Sequence, residues 1–186
     1  MNLTFPDGSI KAYDQGLTSY DIASSISKSL AKDAIGAMVN DTYVELSRPL
    51  YEDASFKIIT KKDSEALYFL RHSAAHLLAQ AVLSLYPNAL FGVGPAIEEG
   101  FYYDIMVPDY QMTEEDLLII EKKMHAFKDQ ALPIVRIEAS YEEAKKMFAH
   151  DKFKLDIIEQ YKDDQLSFYK QGDFTDLCRG GHVSHT

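Results

Sequence analysis

One segment narrows the folding options of this chain more than any other. From Glu65 to Tyr86, Leu67, Leu70, Ala74, Leu77, Leu78, Val82 and Leu85 recur at helical steps until Pro87 stops the run. That spacing predicts a long helix with Ser64 as its N-cap, and with His72 and His76 beside the leucine stripe rather than within it. The chain before and after it reads as short pieces. Leu3 and Phe5 alternate ahead of the Pro6-Asp7-Gly8 turn, and Ile10 to Tyr13 returns as the second strand of a hairpin. Thr18 or Ser19 caps a predicted helix with Ile22, Ile26 and Leu30 spaced by four. Ala37–Val39 and Tyr43–Leu46 flank the turn signal Asn40-Asp41, and Phe56–Thr60 is a fifth strand. This is a small β-grasp-like α+β module of about 60 residues, with a boundary at Lys61-Lys62-Asp63-Ser64.

Beyond the long helix, strands are expected at Leu90–Gly94 and Phe101–Ile105, and a helix capped by Thr113 runs to about Gln130. A strand at Pro133–Glu138, a capping box at Ser140 and Glu143, a helix over Lys152–Gln160 and one or two strands in Leu166–Leu177 complete an α+β chain. There are no internal repeats.

Composition excludes several classes. No apolar run approaches the roughly 20 residues that span a bilayer, and the start lacks the basic and apolar regions of a signal peptide. A single cysteine rules out an intrachain disulfide and fits a reducing cytoplasm. The net charge of −10 opposes a broad phosphate-binding surface. Residues 1–62 carry 7 basic and 8 acidic residues against 12 and 21 in the remainder, so the acidity belongs to the second part.

Chemistry concentrates in two matching four-residue steps, His72-Ser-Ala-Ala-His76 and Cys178-Arg-Gly-Gly-His182. The first places both imidazoles on one helical face. Together the four side chains match the ligand set of a tetrahedral zinc site, with three nitrogens and one sulfur. The competing reading makes the histidines polar edges of a core helix and the cysteine a small buried hydrophobe. Tyr102-Tyr103 reads as strand packing with one ring in and one out, Gly94-Pro95 as turn chemistry, and Lys154 and Asp176 as surface residues. A carboxylate two positions before Cys178 can also hold an amine or hydroxyl.

Three ordered motifs carry a resemblance. Arg71-His-Ser-Ala-Ala-His-Leu-Leu78, Gly94-Pro95 with Gly100-Phe-Tyr-Tyr-Asp104, and Asp176-Leu-Cys-Arg-Gly-Gly-His182 are similar to the N-terminal region of bacterial threonyl-tRNA synthetases. The opening Phe-Pro-Asp-Gly and the Val39-Asn40…Leu46-Ser47 stretch resemble that family's TGS module. The resemblance implies a TGS module over residues 1–62 and an editing domain over 63–186 that hydrolyses seryl-tRNA made in error on threonine tRNA. Serine lacks one methyl of threonine, a difference worth only about 1–3 kcal/mol in a binding pocket, so a second, hydrolytic site is needed. It further implies that His72 and Lys154 position or activate the hydrolytic water. His76, Gly94, Tyr103, Asp176, Cys178 and His182 would line the pocket around the terminal adenosine and the serine, with Asp176 on the serine moiety. Ala74 stands where relatives carry cysteine. The resemblance favours a metal-free pocket without cofactor; zinc at His72, His76, Cys178 and His182 is the alternative, in a non-catalytic RNA- or protein-binding unit. The expected partner is the 3′ end of threonine tRNA carrying serine, with weak affinity for this piece alone. No membrane partner is expected. The synthetic core and the dimer contacts would lie in parts absent here, so no aminoacylation is expected from this fragment.

Overall fold

The computed structural model describes residues 1–186, and its contacts divide them into two units: Met1–Leu70 with Gly180–Ser184, and Arg71–Arg179 with His185–Thr186.

In the first unit, β1 (Asn2–Thr4) and β2 (Ile10–Ala12) form the expected antiparallel hairpin. Its turn is closed by the Gly8 amide on the Phe5 carbonyl at 2.9 Å, with Gly8 at φ 81°. Thr18 caps α1 (Ser19–Ile26) in a capping box with Asp21. The four-residue spacing from Ile22 to Leu30 predicts one helix, but the backbone opens at Ser27 (φ −165°) and the Ser27 hydroxyl caps a second one, α2 (Lys28–Asp33). A serine that accepts a backbone N–H competes with helix continuation, which is why an apolar period alone misjudged the segment. β3 (Ala34–Val39) and β4 (Thr42–Glu45) are joined by Asn40-Asp41, both at positive φ as a two-residue hairpin turn requires. β5 (Ala54–Thr60) lies between β1, to which it is parallel, and β3, to which it is antiparallel. The sheet order β2-β1-β5-β3-β4 covers a core of Leu3, Ile22, Ala37, Val44, Leu50 and Phe56.

The long helix α3 (Ala66–Leu85) matches its predicted span within a residue at each end, though Ser64 does not cap it: its hydroxyl turns to Glu65 instead. Its buried face also differs from the leucine stripe. Leu67 and Leu70 are 48% and 50% exposed, whereas Ala66, Phe69, Ala75, Ala79 and Val82 are buried, and His72 and His76 with them. Small residues on the inner face let neighbouring backbone come close, and that outweighed the apolar area of the leucines.

In the second unit, two short ribbons replace the two predicted strands: β6 (Leu90–Phe91) pairs with β9 (Ile105–Met106), and β7 (Ala96–Ile97) with β8 (Gly100–Phe101). Arg71 donates to the Ile97 carbonyl at 3.2 Å, anchoring the inner ribbon beside His72. Helix α4 (Glu114–Lys128) starts at Thr113 in a capping box with Asp116, whose carboxylate also accepts the Tyr86 and Tyr110 hydroxyls. β10 (Ile134–Ala139), the Ser140-capped α5 (Tyr141–Met147), α6 (Lys152–Gln160), β11 (Leu166–Gln171) and β12 (Phe174–Leu177) follow as predicted. The last strands form an antiparallel sheet in the order β10-β11-β12. Two cores support this unit, one around Val82, Phe91, Ile120 and Phe174, the other around Phe148, Ile158, Leu166 and Phe168. No helix is long and apolar enough to cross a membrane.

Candidate functional site

Strand alternation brings β12 to α3. Phe174 and Asp176 are two residues apart, so they share a face, and both are buried. Phe174 meets the His76 ring edge-to-face at 6.1 Å between centroids. Asp176 then lies beside His76, with Oδ2 4.0 Å from Nε2. His72, one turn earlier on α3, is perpendicular to His76 at 5.3 Å between ring centroids.

The first turn of α6 supplies a cation to this carboxylate. Lys154 Nζ is 2.6 Å from Asp176 Oδ1, and the two residues are only 3% and 2% exposed. The surface reading of these two residues is therefore wrong. Nζ also donates to the Gly92 carbonyl at 3.0 Å and to the Tyr103 hydroxyl at 3.1 Å. These three acceptors use every proton of the ammonium. The Tyr103 hydroxyl in turn donates to Asp176 Oδ2, and the Leu177 amide donates to Oδ1 at 2.8 Å. Tyr103 is the inward member of its pair, since Tyr102 is exposed. Gly94 permits this placement: a Cβ there would lie 2.5 Å from Tyr103 Cδ2, inside the ring's contact distance.

The charge states follow from burial and neighbours. Burial pushes the Asp176 carboxyl up, but the Lys154 ammonium and the hydrogen bonds of Lys154 and Tyr103 outweigh it and hold the group below the usual carboxylate range. Burial drives the His76 imidazole down to about 3, against the pull of Asp176 and with the help of His72 and Lys154. His76 is therefore neutral at pH 7. The Tyr103 hydroxyl, buried beside Asp176, is raised well above its ordinary value and stays protonated.

His72, His76 and Cys178 of the second unit are, together with His182, donors of the types that could hold a metal ion. The Ser167 carbonyl and hydroxyl bracket Cys178 from β11: Cys178 donates its backbone N–H to the Ser167 carbonyl at 3.2 Å, and Ser167 Oγ donates to the Cys178 carbonyl at 2.6 Å. One participant had no signal in the sequence: the Gly92 carbonyl, which is backbone.

What this arrangement can do is hold an ammonium or hydroxyl on an ionised carboxylate in a buried setting, next to neutral imidazole and a positioned cation.

Residues 1–60 match the TGS domain model. The full chain is 52% identical over 186 residues to threonine–tRNA ligase of Acholeplasma laidlawii, 47% over 187 residues to that of Enterococcus faecalis and 45% over 188 residues to that of Streptococcus pneumoniae. In each case the match covers 100% of this chain and 29% of the relative, so the chain spans less than a third of the length of these relatives. From its TGS domain to its last strand, this chain is similar to the N-terminal part of bacterial threonine–tRNA ligases.

Proposed function

We propose that residues 63–186 act as an editing domain that hydrolyses the ester of seryl-tRNA(Thr), with residues 1–62 as its TGS module. The observation that carries this reading is the buried Lys154–Asp176 pair, tied to Tyr103 and set beside His76. A structural metal site needs neither member of that pair, whereas recognition of an aminoacyl group needs an anion for its ammonium.

In the proposed reaction, the serine ammonium enters the field of Asp176 and competes with Lys154 for the carboxylate. The Lys154 N–H released from Asp176 then turns to the ester carbonyl oxygen, where negative charge develops. His72 accepts a proton from the attacking water as its oxygen bonds to the carbonyl carbon. The ester C–O bond breaks, and the proton passes to the departing ribose oxygen, leaving serine and tRNA. Tyr103, fixed between Gly94 and Asp176, forms a wall against which the extra methyl of threonine is excluded, while His76, Cys178 and His182 line the rest. The partner is the 3′ end of threonine tRNA. The excess of 21 acidic over 12 basic residues beyond Lys62 supports weak affinity for the phosphate backbone in this piece alone. The complete ligase would be a homodimer through parts beyond this chain, in the cytoplasm.

The His72, His76, Cys178 and His182 cluster favours a second reading, a binding unit with structural zinc. In that case the four side chains would hold the ion, and it would supply rigidity rather than chemistry.

The decisive assay compares deacylation of seryl-tRNA(Thr) and threonyl-tRNA(Thr), with metal analysis and a chelated sample alongside. Hydrolysis of the seryl ester that spares the threonyl ester and survives chelation is expected; absence of turnover, with one zinc per chain, supports the binding unit. Unchanged rates in both His72→Ala and Lys154→Met would remove those residues from the mechanism.

A further inference from the structure

Asp151 stands outside the groups assigned above, yet the residue is only 2% exposed and its carboxylate is bonded at both oxygens. Oδ1 caps α6, accepting from the Phe153 amide at 2.9 Å and the Lys154 amide at 3.3 Å. A helix cap needs no more than this, and Ser, Thr or Asn would supply it. Oδ2 does something a cap does not: it accepts the Phe91 amide at 2.8 Å, from β6, 60 positions away in the chain. Phe91 is the residue before Gly92, whose carbonyl receives Lys154 Nζ. The bonds therefore close a ring. One carboxylate holds the backbone end of Lys154 and, through Phe91 and Gly92, the acceptor of its ammonium end.

We propose that Asp151 is a positioning residue of the site: by bridging the N-terminus of α6 to β6, it sets where Lys154 places its ammonium relative to Asp176 and Tyr103. Lys154 needs such a device. A cation in the first turn of a helix faces the positive end of the helix dipole, so α6 alone disfavours it there. A second anion at the same helix end offsets that field, and the bridge removes the freedom of a long side chain to swing away. Misplacement of a reacting group by about 1 Å can cost a factor of about 100 in rate. The link to catalysis rests on the editing reading; the link to Lys154 geometry does not.

The test uses Asp151→Ser, which retains a cap acceptor and removes the bridge, and Asp151→Asn, which retains Oδ1 and turns an amide N–H donor toward the Phe91 amide. The expected result is a loss of about 10- to 100-fold in the turnover of seryl-tRNA, with KM within about twofold. In the Lys154→Met background, Asp151→Ser should cost less than about twofold more, since the residue it positions is gone. Ser140→Ala, which removes the cap of α5 away from the site, controls for destabilisation and should leave turnover unchanged. Nitrogen-detected NMR of lysine ammonium groups gives a readout independent of activity: the wild type should show a slowly exchanging Lys154 signal, lost in both Asp151 variants. Additive losses with Lys154→Met, or a Lys154 signal unmoved by either Asp151 variant, overturn the proposal. If the wild type hydrolyses no seryl-tRNA, the editing reading fails, and the ammonium signal alone decides the role of Asp151.

Discussion

Replacing Asp176 by leucine should damage the second unit more than replacing both members of its ion pair. In the single variant, the Lys154 ammonium stays buried with only the Gly92 carbonyl and the Tyr103 hydroxyl as partners, both neutral. Breaking a buried pair this way costs about 3–5 kcal/mol, because one charge is left without compensation. At about 2–4 °C per kcal/mol for a protein of this size, the melting temperature should fall by roughly 6–20 °C. Lys154→Met is milder: Asp176 still accepts from the Tyr103 hydroxyl and the Leu177 amide, and a carboxylate can take up a proton. The double variant Lys154→Met/Asp176→Leu removes both charges and should recover at least about 2 kcal/mol relative to the sum of the singles, because an apolar pair of similar volume is often neutral in place of a buried ion pair. Urea and thermal unfolding followed by circular dichroism give the four corners of this cycle. The pH dependence checks the sign. Asp176 is depressed in the folded state, so its contribution is present above the unfolded carboxylate value of about 3.9 and is lost as pH falls through the folded value. The difference between wild type and Asp176→Leu should thus hold from about pH 5 to 8 and shrink below about pH 4. Additive single effects, within about 0.5 kcal/mol, would refute the reasoning, because they would mean that the two charges do not compensate each other.

Two further outcomes follow from the same site. His76 has a folded pKa of about 3 against 6.5 when unfolded, so the unfolded chain binds an extra proton in between; stability of the metal-free protein should fall as pH drops from about 6.5, by at most about 1.4 kcal/mol per pH unit, and His76→Gln should flatten that slope in acid titrations of the unfolding midpoint. Gly94→Ala places a methyl 2.5 Å from Tyr103 Cδ2, so it should cost about 1–3 kcal/mol in thermal unfolding and lower seryl-tRNA hydrolysis, whereas an alanine that left both unchanged would show that the Tyr103 ring can move freely.

The elements that sequence spacing located well are those whose signals are local. Thr18, Thr113 and Ser140 announce helix starts because a cap bonds within three residues, and Asn40-Asp41 announces a hairpin because few residues accept positive φ. His72 and His76 were legible as a pair for the same reason, since helical geometry alone sets their relation. The buried face of α3 was not legible: hydrophobicity ranks Leu67 and Leu70 above Ala75 and Ala79, but tight packing selected the small residues. Lys154 and Asp176 looked like surface charges because their pairing is not local: the two lie 22 positions apart along the chain and on different elements. Asp151 was hardest, because half of its bonding imitates a common cap and the informative half reaches β6 through the tertiary fold.

The reach of these bonds along the chain has a consequence for how the protein is made. His72 emerges early on α3, Gly92 and Tyr103 follow, and Lys154 and Asp176 come last, on α6 and β12. At about 5–20 residues per second, roughly 5 to 20 seconds of synthesis separate the first histidine from the carboxylate beside it. During that interval α3 can form, but its inner face has neither the Phe174 ring nor the Asp176 carboxylate against it. The nascent chain therefore carries a half-made pocket whose polar face is open, and closing it waits on a single late event, the pairing of β12 with β11.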